Sequence, residues 1–376
     1  MNMSRFLTEE QEMIRKIARE FTENEVKPRA MEIDQANDLP RDLHKRCGEL
    51  GFLGVLVPEE FGGLGQGLTT ACLICEEVAK ESPGLAISLF VSMGVTSFFT
   101  ATPLSRKYLP DLISGDKVGS TAITQPQGST NHAEWGVFGK KDGDEWVLNG
   151  TKLYITNTRA ADVTLAMGIT DDYQLGAWIV EKGHPGMEDN HVERKMGASG
   201  NNSGTYVFKD CRVPSENFVQ MASGADAGIG NAMCASVALG LAEGVFAKTL
   251  EYTKVRTRAF KPIATKQAVS HRLAKMYAAI ESGRSLLYDA TRLADEGKME
   301  EAKILVNAAK YSVTEMSVDV ARQCIQLHGG MGHCEDTGIA RYMRDAMGTT
   351  IADCTPDLHL ETIAALLGCP EAEIIC

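Results

Sequence analysis

Positive charge is what this sequence is short of. Its 38 Lys and Arg stand against 50 Asp and Glu, a formal net charge of −12. A chain this acidic is a poor candidate for nucleic-acid binding. A few arginines and helix N-termini can still hold a polyanionic ligand locally. Apolar runs are short as well, and none reaches the roughly 18 residues of a membrane span. The opening stretch, MNMSRFLTEEQEM, holds no signal-peptide core. The 10 cysteines are scattered without the spacing of a secreted disulfide framework, which predicts a reducing, cytoplasmic setting. Cys72 and Cys75 form one isolated CxxC inside an apolar helical stretch, and buried core thiols are expected there rather than a metal or redox site. Internal repeats and low-complexity tracts are also missing.

What is present is enough chain, 376 residues, for two or three domains around large cores. Residues 1–116 read as a helical domain. Thr8 and Gln11 form a capping-box pattern, followed by Ile14, Ile17, Ala18 and Phe21 at helical spacing. PRDLHKRCGELGF, LTTACLICEEVAKES and SRKYLPDLISG follow as further helices. Residues 117–224 change to β-rich runs, among them KVGSTAIT, EWVLNGTKLYIT, ADVTLAMGIT, LGAWIVE and GTYVFKDCRVP. No helical segment separates them, which predicts an antiparallel barrel or sandwich rather than βαβ units. Asn149-Gly150 is expected to turn a hairpin. Residues 225–376 return to long amphipathic helices that predict a four-helix bundle. Near the end, Thr355 and Pro356 fit the N-cap and first turn of a last helix.

Six stretches in this order, PEEFGG, KYLPDLISGDKVGSTAITQP, LNGTKLYITN, NSGTYVFKDCRVPSEN, CIQLHGGMGHCEDTGIARYMRDA and the helix after Asp353, resemble the acyl-CoA dehydrogenase flavoprotein family over essentially the whole chain. The resemblance implies a mainly α fold with a β middle domain, non-covalent FAD, a homotetramer, an acyl-CoA thioester substrate and electron-transfer flavoprotein as electron acceptor. It also implies a division of labour in which the flavin takes a hydride and the protein supplies a base and positions the thioester.

Carried over by position, the resemblance places Ile123 and Thr124 against the flavin ring and Ser129 beside its phosphate or ligand. Tyr154 stands where an aromatic ring stacks on the flavin, and Thr156 near its reactive edge. Arg256, Gln267, Gln326, Gly329 and Gly330 match contacts to the FAD of a neighbouring subunit, the arginine suiting the pyrophosphate. Thr355 matches a pyrophosphate contact at a helix N-terminus. Without the resemblance, Thr124 and Thr156 read as ordinary strand residues and Arg256 as a solvated helix-end charge. Several residues depart from the family pattern. Ala259-Phe260 stands where Phe-Gly is usual, Asp357 where glutamine is usual, and Gln125 where an acid is usual.

Asp353 falls where most of the family carries a catalytic glutamate. Read by itself, it is an acid at the start of a helix, complementing the helix dipole. Read in register, it is the base. A second subgroup places its base at the position of Gly230, which closes that option here, and Asn231 replaces the arginine usual beside it. The aspartate is one methylene shorter, about 1.5 Å less reach. Ala352 replaces a large residue next to it, and together they favour a bulky or cyclic acyl group. His132 and Trp135, with Glu134, lie in the loop expected to approach the substrate. The leading reading is an acyl-CoA dehydrogenase with an unusual substrate. The alternatives are a 2-enoyl-CoA reductase, an enzyme of non-standard elimination, and a flavin-binding homologue with impaired catalysis.

Overall fold

The computed structural model describes residues 7–128, 131–221 and 228–374, and the first sequence signal appears at its start. The Gln11 amide donates to Thr8 Oγ1 at 3.1 Å, and Gln11 Oε1 accepts from the Thr8 amide at 3.0 Å, closing the capping box. Helix α1 (Glu9–Phe21) then buries Ile14, Ala18 and Phe21. Helices α2 (Ala30–Ala36), α3 (Arg41–Glu49), α4 (Leu68–Ala79), α5 (Pro83–Phe98) and α6 (Ser105–Ile113) complete the first unit. The sequence reading does not separate α5. Its mean hydropathy is high on every side, so the 3.6-residue rhythm that marks a surface helix is missing.

That same property corrects the expectation about apolar runs. Pro83–Ala101 and Ile229–Val255 are both long and apolar enough to cross a bilayer by length and composition. Glycine, serine and threonine interrupt the apolar letters without lowering the average enough. In the fold, 61% and 78% of their most apolar windows are buried, so this surface goes into the core.

The middle of the chain forms an eight-stranded sheet from β1 (Gly119–Ala122), β2 (Phe138–Asp142), β3 (Glu145–Thr156), β4 (Val163–Thr170), β5 (Leu175–Glu181), β6 (Met187–Val192), β7 (Ser203–Pro214) and β8 (Phe218–Gln220). Its order is β6-β7-β3-β2-β4-β5-β8, with β1 also on β4. Most pairings are antiparallel as expected, but β4 pairs in parallel with both β1 and β2. Asn149-Gly150 is not a turn. It sits inside β3 at a register shift opposite β7, and Asn149 Oδ1 accepts from the Asp210 amide at 2.9 Å. Gly150 has φ 132°, and a Cβ there would lie 2.5 Å from the Gly136 carbonyl. The dipeptide stays in the strand opposite a bulge of β7, where Lys209 and Asp210 together face Asn149 and Asp210 has φ 47°. The real β2–β3 turn lies at Gly143, between the paired Asp142 and Glu145.

Four long helices, α7 (Ile229–Val255), α8 (Gln267–Asp295), α9 (Met299–His328) and α11 (Ile339–Ile351), form the bundle. A short α10 (Gly330–His333) precedes α11, and α12 (Pro356–Leu366) packs on α9. The small residues of α7 are explained by its contact with α4. A Cβ at Gly240 would lie 2.1 Å from the Glu76 carbonyl. The α4 carboxylates are buried at this seam. Glu77 accepts from Arg15 Nε at 2.9 Å and Arg19 Nη2 at 2.9 Å. Glu76 accepts from Arg284 and from the Tyr288 hydroxyl. Buried carboxylates are tolerated only when paired in this way, and the pairs join the N-terminal helices to the bundle.

Candidate active site

The link between α11 and α12 carries the acid singled out in the sequence. Thr355 is the N-cap of α12 and Pro356 its first residue, as read from sequence. Asp353 lies two residues before the cap, and the acid in the first turn is Asp357. Asp353 is therefore not the first-turn acid of α12. Its φ of 61° lies in the left-handed region, which aspartate enters more readily than most side chains. The carboxylate points toward the first turn of α7. A Cβ built on Gly230 would meet Asp353 Oδ2 at 3.0 Å and Oδ1 at 3.4 Å. Asn231 follows on α7 with its side chain buried and its Oδ1 without a hydrogen-bond partner. Ala352 is half-buried beside the acid. Cys354, the next residue, is disulfide-bonded, where the scattered cysteines predict a reducing setting. Cys72 and Cys75 are free and fully buried, as expected, and burial pushes both thiols up. Among the described residues no group of side chains is arranged to hold a metal ion.

A second group lies on the β domain. Leu153 N donates to the Thr124 carbonyl at 2.8 Å and Lys152 Nζ to the Ile123 carbonyl at 2.7 Å, so the 123–125 segment is fixed alongside the end of β3. Ile123 and Tyr154 are large apolar side chains left 37% and 63% exposed. Tyr154 also has φ 58°. Thr124 and Thr156 are half-buried on the same two segments. An apolar ring and hydroxyls turned outward suit a flat aromatic ligand.

The neighbouring loop departs from expectation. Trp135 is only 4% exposed and packs in a cluster with Met167, Ile169 and Ala177. Its ring covers Lys152 Nζ at 4.5 Å and meets His132 edge-on at 4.6 Å. Trp135 thus supports the loop from inside, where the sequence suggested a substrate contact, and His132 is the exposed member. Gln125 Oε1 accepts from the Gly136 and Val137 amides at 3.0 and 3.1 Å, and from Lys152 at 3.3 Å. Burial lowers the lysine to about 7. Burial and then the Lys152 charge lower the His132 imidazole. Ser129 lies outside the described residues.

A third group gathers at the far end of α7. The Tyr252 and His328 rings stack at 4.2 Å, bringing the C-terminal ends of α7 and α9 together. Arg256, Gln326, Gly329 and Gly330 are exposed there, and a Cβ on either glycine would meet nothing within 4 Å. Gln267, the exposed first residue of α8, follows the two-stranded ribbon Thr257–Arg258 and Lys261–Pro262. Ala259 and Phe260 form the turn of that ribbon at φ 51° and 63°, with the Phe260 ring wholly exposed. Gly230 and Arg256 are 26 residues apart on one helix, about 39 Å at 1.5 Å per residue.

These features fit FAD: an exposed aromatic face for the ring system, and a guanidinium and a helix N-terminus for the pyrophosphate. The Thr355 side chain makes no capping bond within α12 and is free to meet a ligand. Residues 8–116, 120–211 and 225–368 match the acyl-CoA dehydrogenase N-terminal, middle and C-terminal domains. The chain belongs to the acyl-CoA dehydrogenase family. It is 31% identical to an acyl-CoA dehydrogenase of Bacillus subtilis, covering 96% of this chain and 98% of that one. It is 32% identical to an acryloyl-CoA reductase (NADH) of Anaerotignum propionicum, over 95% and 94% of the two chains. The solved butyryl-CoA dehydrogenase of Megasphaera elsdenii superposes with a TM-score of 0.90 at 30% identity, over 96% of this chain and 98% of that one. The family is FAD-dependent, and its members are oxidoreductases acting on CH–CH groups.

Sequence reasoning missed two buried lysines beside these groups, Lys152 and Lys310, each with 0% exposure. Neither carries a sequence signal, because both stand in amphipathic elements where a lysine ordinarily faces water.

Proposed function

We propose that this protein oxidises an acyl-CoA thioester to the 2-enoyl-CoA, with Asp353 as the base that takes the α-proton. The observation that supports this most directly is the approach of Asp353 to Gly230. The two positions at which the family places its base face one another, and only one of them carries an acid. FAD, when bound, accepts the β-hydride. The chain's own part is to hold the carboxylate within about 3 Å of the α-carbon proton and to orient the thioester. Tyr154, Ile123, Thr124 and Thr156 offer the surface for the flavin ring. In this reading Arg256, Gln267, Gln326, Gly329 and Gly330 serve the FAD of an adjacent subunit. The length of α7 supports it: the Asp353 end and the Arg256 end lie further apart than one FAD can span. That makes the enzyme an oligomer, a homotetramer by family likeness, with electron-transfer flavoprotein as acceptor. Among the described residues eight cysteines are free, and this supports a reducing, cytoplasmic setting even with Cys354 bonded.

The short base and the small Ala352 beside it favour a bulky or cyclic acyl group over a slim chain, with His132 and Asn231 as further substrate contacts. A 2-enoyl-CoA reductase is the second reading, favoured by the likeness to the acryloyl-CoA reductase. The test is anaerobic flavin bleaching by straight, branched, cyclic and dicarboxylic acyl-CoAs. Bleaching by a bulky or cyclic member is the expected outcome. Reduced enzyme that only enoyl-CoA reoxidises, with no acyl-CoA bleaching it, would replace the first reading by the second.

A further inference from the structure

Behind the link that carries Asp353 stands Lys310, on α9, with no exposed surface. Its Nζ donates to the Thr349 carbonyl at 2.9 Å and to the Cys354 carbonyl at 3.2 Å. Thr349 lies in the last turn of α11, where helix carbonyls lack internal donors and a cation is favoured. Cys354 immediately precedes the N-cap of α12. The two bonds therefore straddle the short bridge between the helices and hold its two ends on one ammonium group. One turn earlier on α9, Asn307 Oδ1 pairs with His359 Nδ1 of α12 at 2.8 Å, and both residues are buried. From α7, the Cys234 thiol points at the same Thr349 carbonyl at 3.6 Å. Asp353, at the centre of this bridge, has a left-handed backbone. Such a conformation persists where its surroundings over-determine it.

We infer that Lys310 is a positioning residue for Asp353, pinning the bridge from both sides so that the short carboxylate stands at one place opposite Gly230. This rests on reading Asp353 as the base. A glutamate has an extra rotatable methylene with which to make up for backbone drift, and an aspartate does not. Misplacement of a reacting group by about 1 Å costs on the order of 10²-fold in rate. Among the described residues, the ionisable groups that feel the ammonium charge are Cys234 from α7 and His359 from α12. Burial, and then the Lys310 charge, hold His359 at about 4, so its imidazole is neutral at working pH. The local positive charge is that of Lys310.

The experiment compares FAD-loaded wild type, Lys310→Met, Lys310→Gln, Asp353→Asn and the double variant Lys310→Met/Asp353→Asn. The readouts are stopped-flow flavin reduction by the best acyl-CoA, the dissociation constant of that thioester, and amide hydrogen exchange over residues 350–358. Lys310→Met is expected to keep FAD and thioester affinity, to lose about ten- to a hundredfold in reduction rate, and to exchange faster over 350–358. Lys310→Gln keeps one donor and should lie between. If it alone folds, a loss confined to the rate with faster exchange over 350–358 carries the inference, and wild-type values overturn it. In the Asp353→Asn background, removing Lys310 should cost no further rate, because a positioning residue acts through the group it places. Rate losses that multiply, or a Lys310→Met enzyme that reduces flavin at the wild-type rate, overturn the inference. If no thioester bleaches the wild type, the functional reading fails first. Hydrogen exchange then still reports whether Lys310 holds the bridge.

Discussion

The two ends of α7 are built on opposite terms. At its first turn the surroundings come from the same chain: α9, α11 and α12 converge on the Asp353 bridge, and Gly230 lies within contact of the carboxylate. At its last turn the chain leaves polar and small groups in the open. Arg256, Gln326, Gly329 and Gly330 face out, and the Phe260 ring stands wholly exposed on a turn with two left-handed residues. In the proposed reading, one chain places the base alone, while the groups at the other end complete the cofactor site of a neighbouring subunit. The closed end should then fail by losing chemistry and the open end by losing cofactor.

The largest effect belongs to the closed end. Asp353→Asn should keep FAD and bind acyl-CoA, yet lose at least about 10²-fold in flavin reduction, the scale of general-base removal. Asp353→Glu should improve turnover of linear thioesters if the short side chain is an adaptation to bulk. Flavin reduction by the asparagine variant at the wild-type rate would move the search for a base to Glu134 or His132.

At the open end, Arg256→Gln should leave the rate of fully loaded enzyme nearly intact and weaken FAD binding about ten- to a hundredfold, in line with about 1.5–3 kcal/mol for a charged hydrogen bond. Dilution of the wild type should release FAD as subunits part. Equilibrium dialysis and sedimentation at the same concentrations check both. A monomer that retains FAD tightly would remove the contrast between the two ends.

A smaller effect is expected beside the base. Ala352→Tyr should shift preference toward slim, straight acyl chains by about tenfold in relative kcat/KM, as one or two methylenes in a pocket do. An unchanged ratio between bulky and linear thioesters would show that this side of the bridge does not line the acyl pocket.

The contrast also shows what sequence could carry. Helix starts, the Thr8 and Thr355 caps and the β-rich middle are local properties of neighbouring residues, and they were legible. Asn149-Gly150 misled because a dipeptide that suits a turn here lies within a strand opposite a bulge of β7, and only the pairing with that distant strand decides between the two. Helix α5 was hidden by being apolar all round. Asp353 could be found by register. Its nearness to Gly230, more than 100 residues away in sequence, is a property of helix packing that no local pattern encodes. Trp135 reads in sequence as part of a loop that approaches the substrate, and its ring lies inside against Met167, Ile169, Ala177 and the buried Lys152, partners that sequence does not reveal.

That lysine supplies the smallest effect, one of pH. Lys152 is buried, and among the described residues its side-chain hydrogen-bond acceptor is the neutral Gln125 Oε1 at 3.3 Å. Burial lowers it to about 7 in the fold from an ordinary value of 10.5. Between those values the unfolded chain binds a proton that the folded chain does not. Stability from this group therefore rises as pH goes from about 7 toward 10, and is lowest below 7, where folding must bury the charge. Gln125→Glu places a carboxylate where the amide oxygen now sits. It can still accept from the Gly136 and Val137 amides, and it removes the buried Gln125 Nε2, which has no partner. The paired lysine should return toward its ordinary value, since an opposite charge favours the charged form. Thermal unfolding of FAD-loaded wild type and Gln125→Glu, at fixed ionic strength from pH 6 to 9, should show the variant more stable at pH 6, with its advantage shrinking as pH rises. Parallel curves would mean that Lys152 keeps its proton throughout, and that Gln125 is only a spacer between the loop and the sheet.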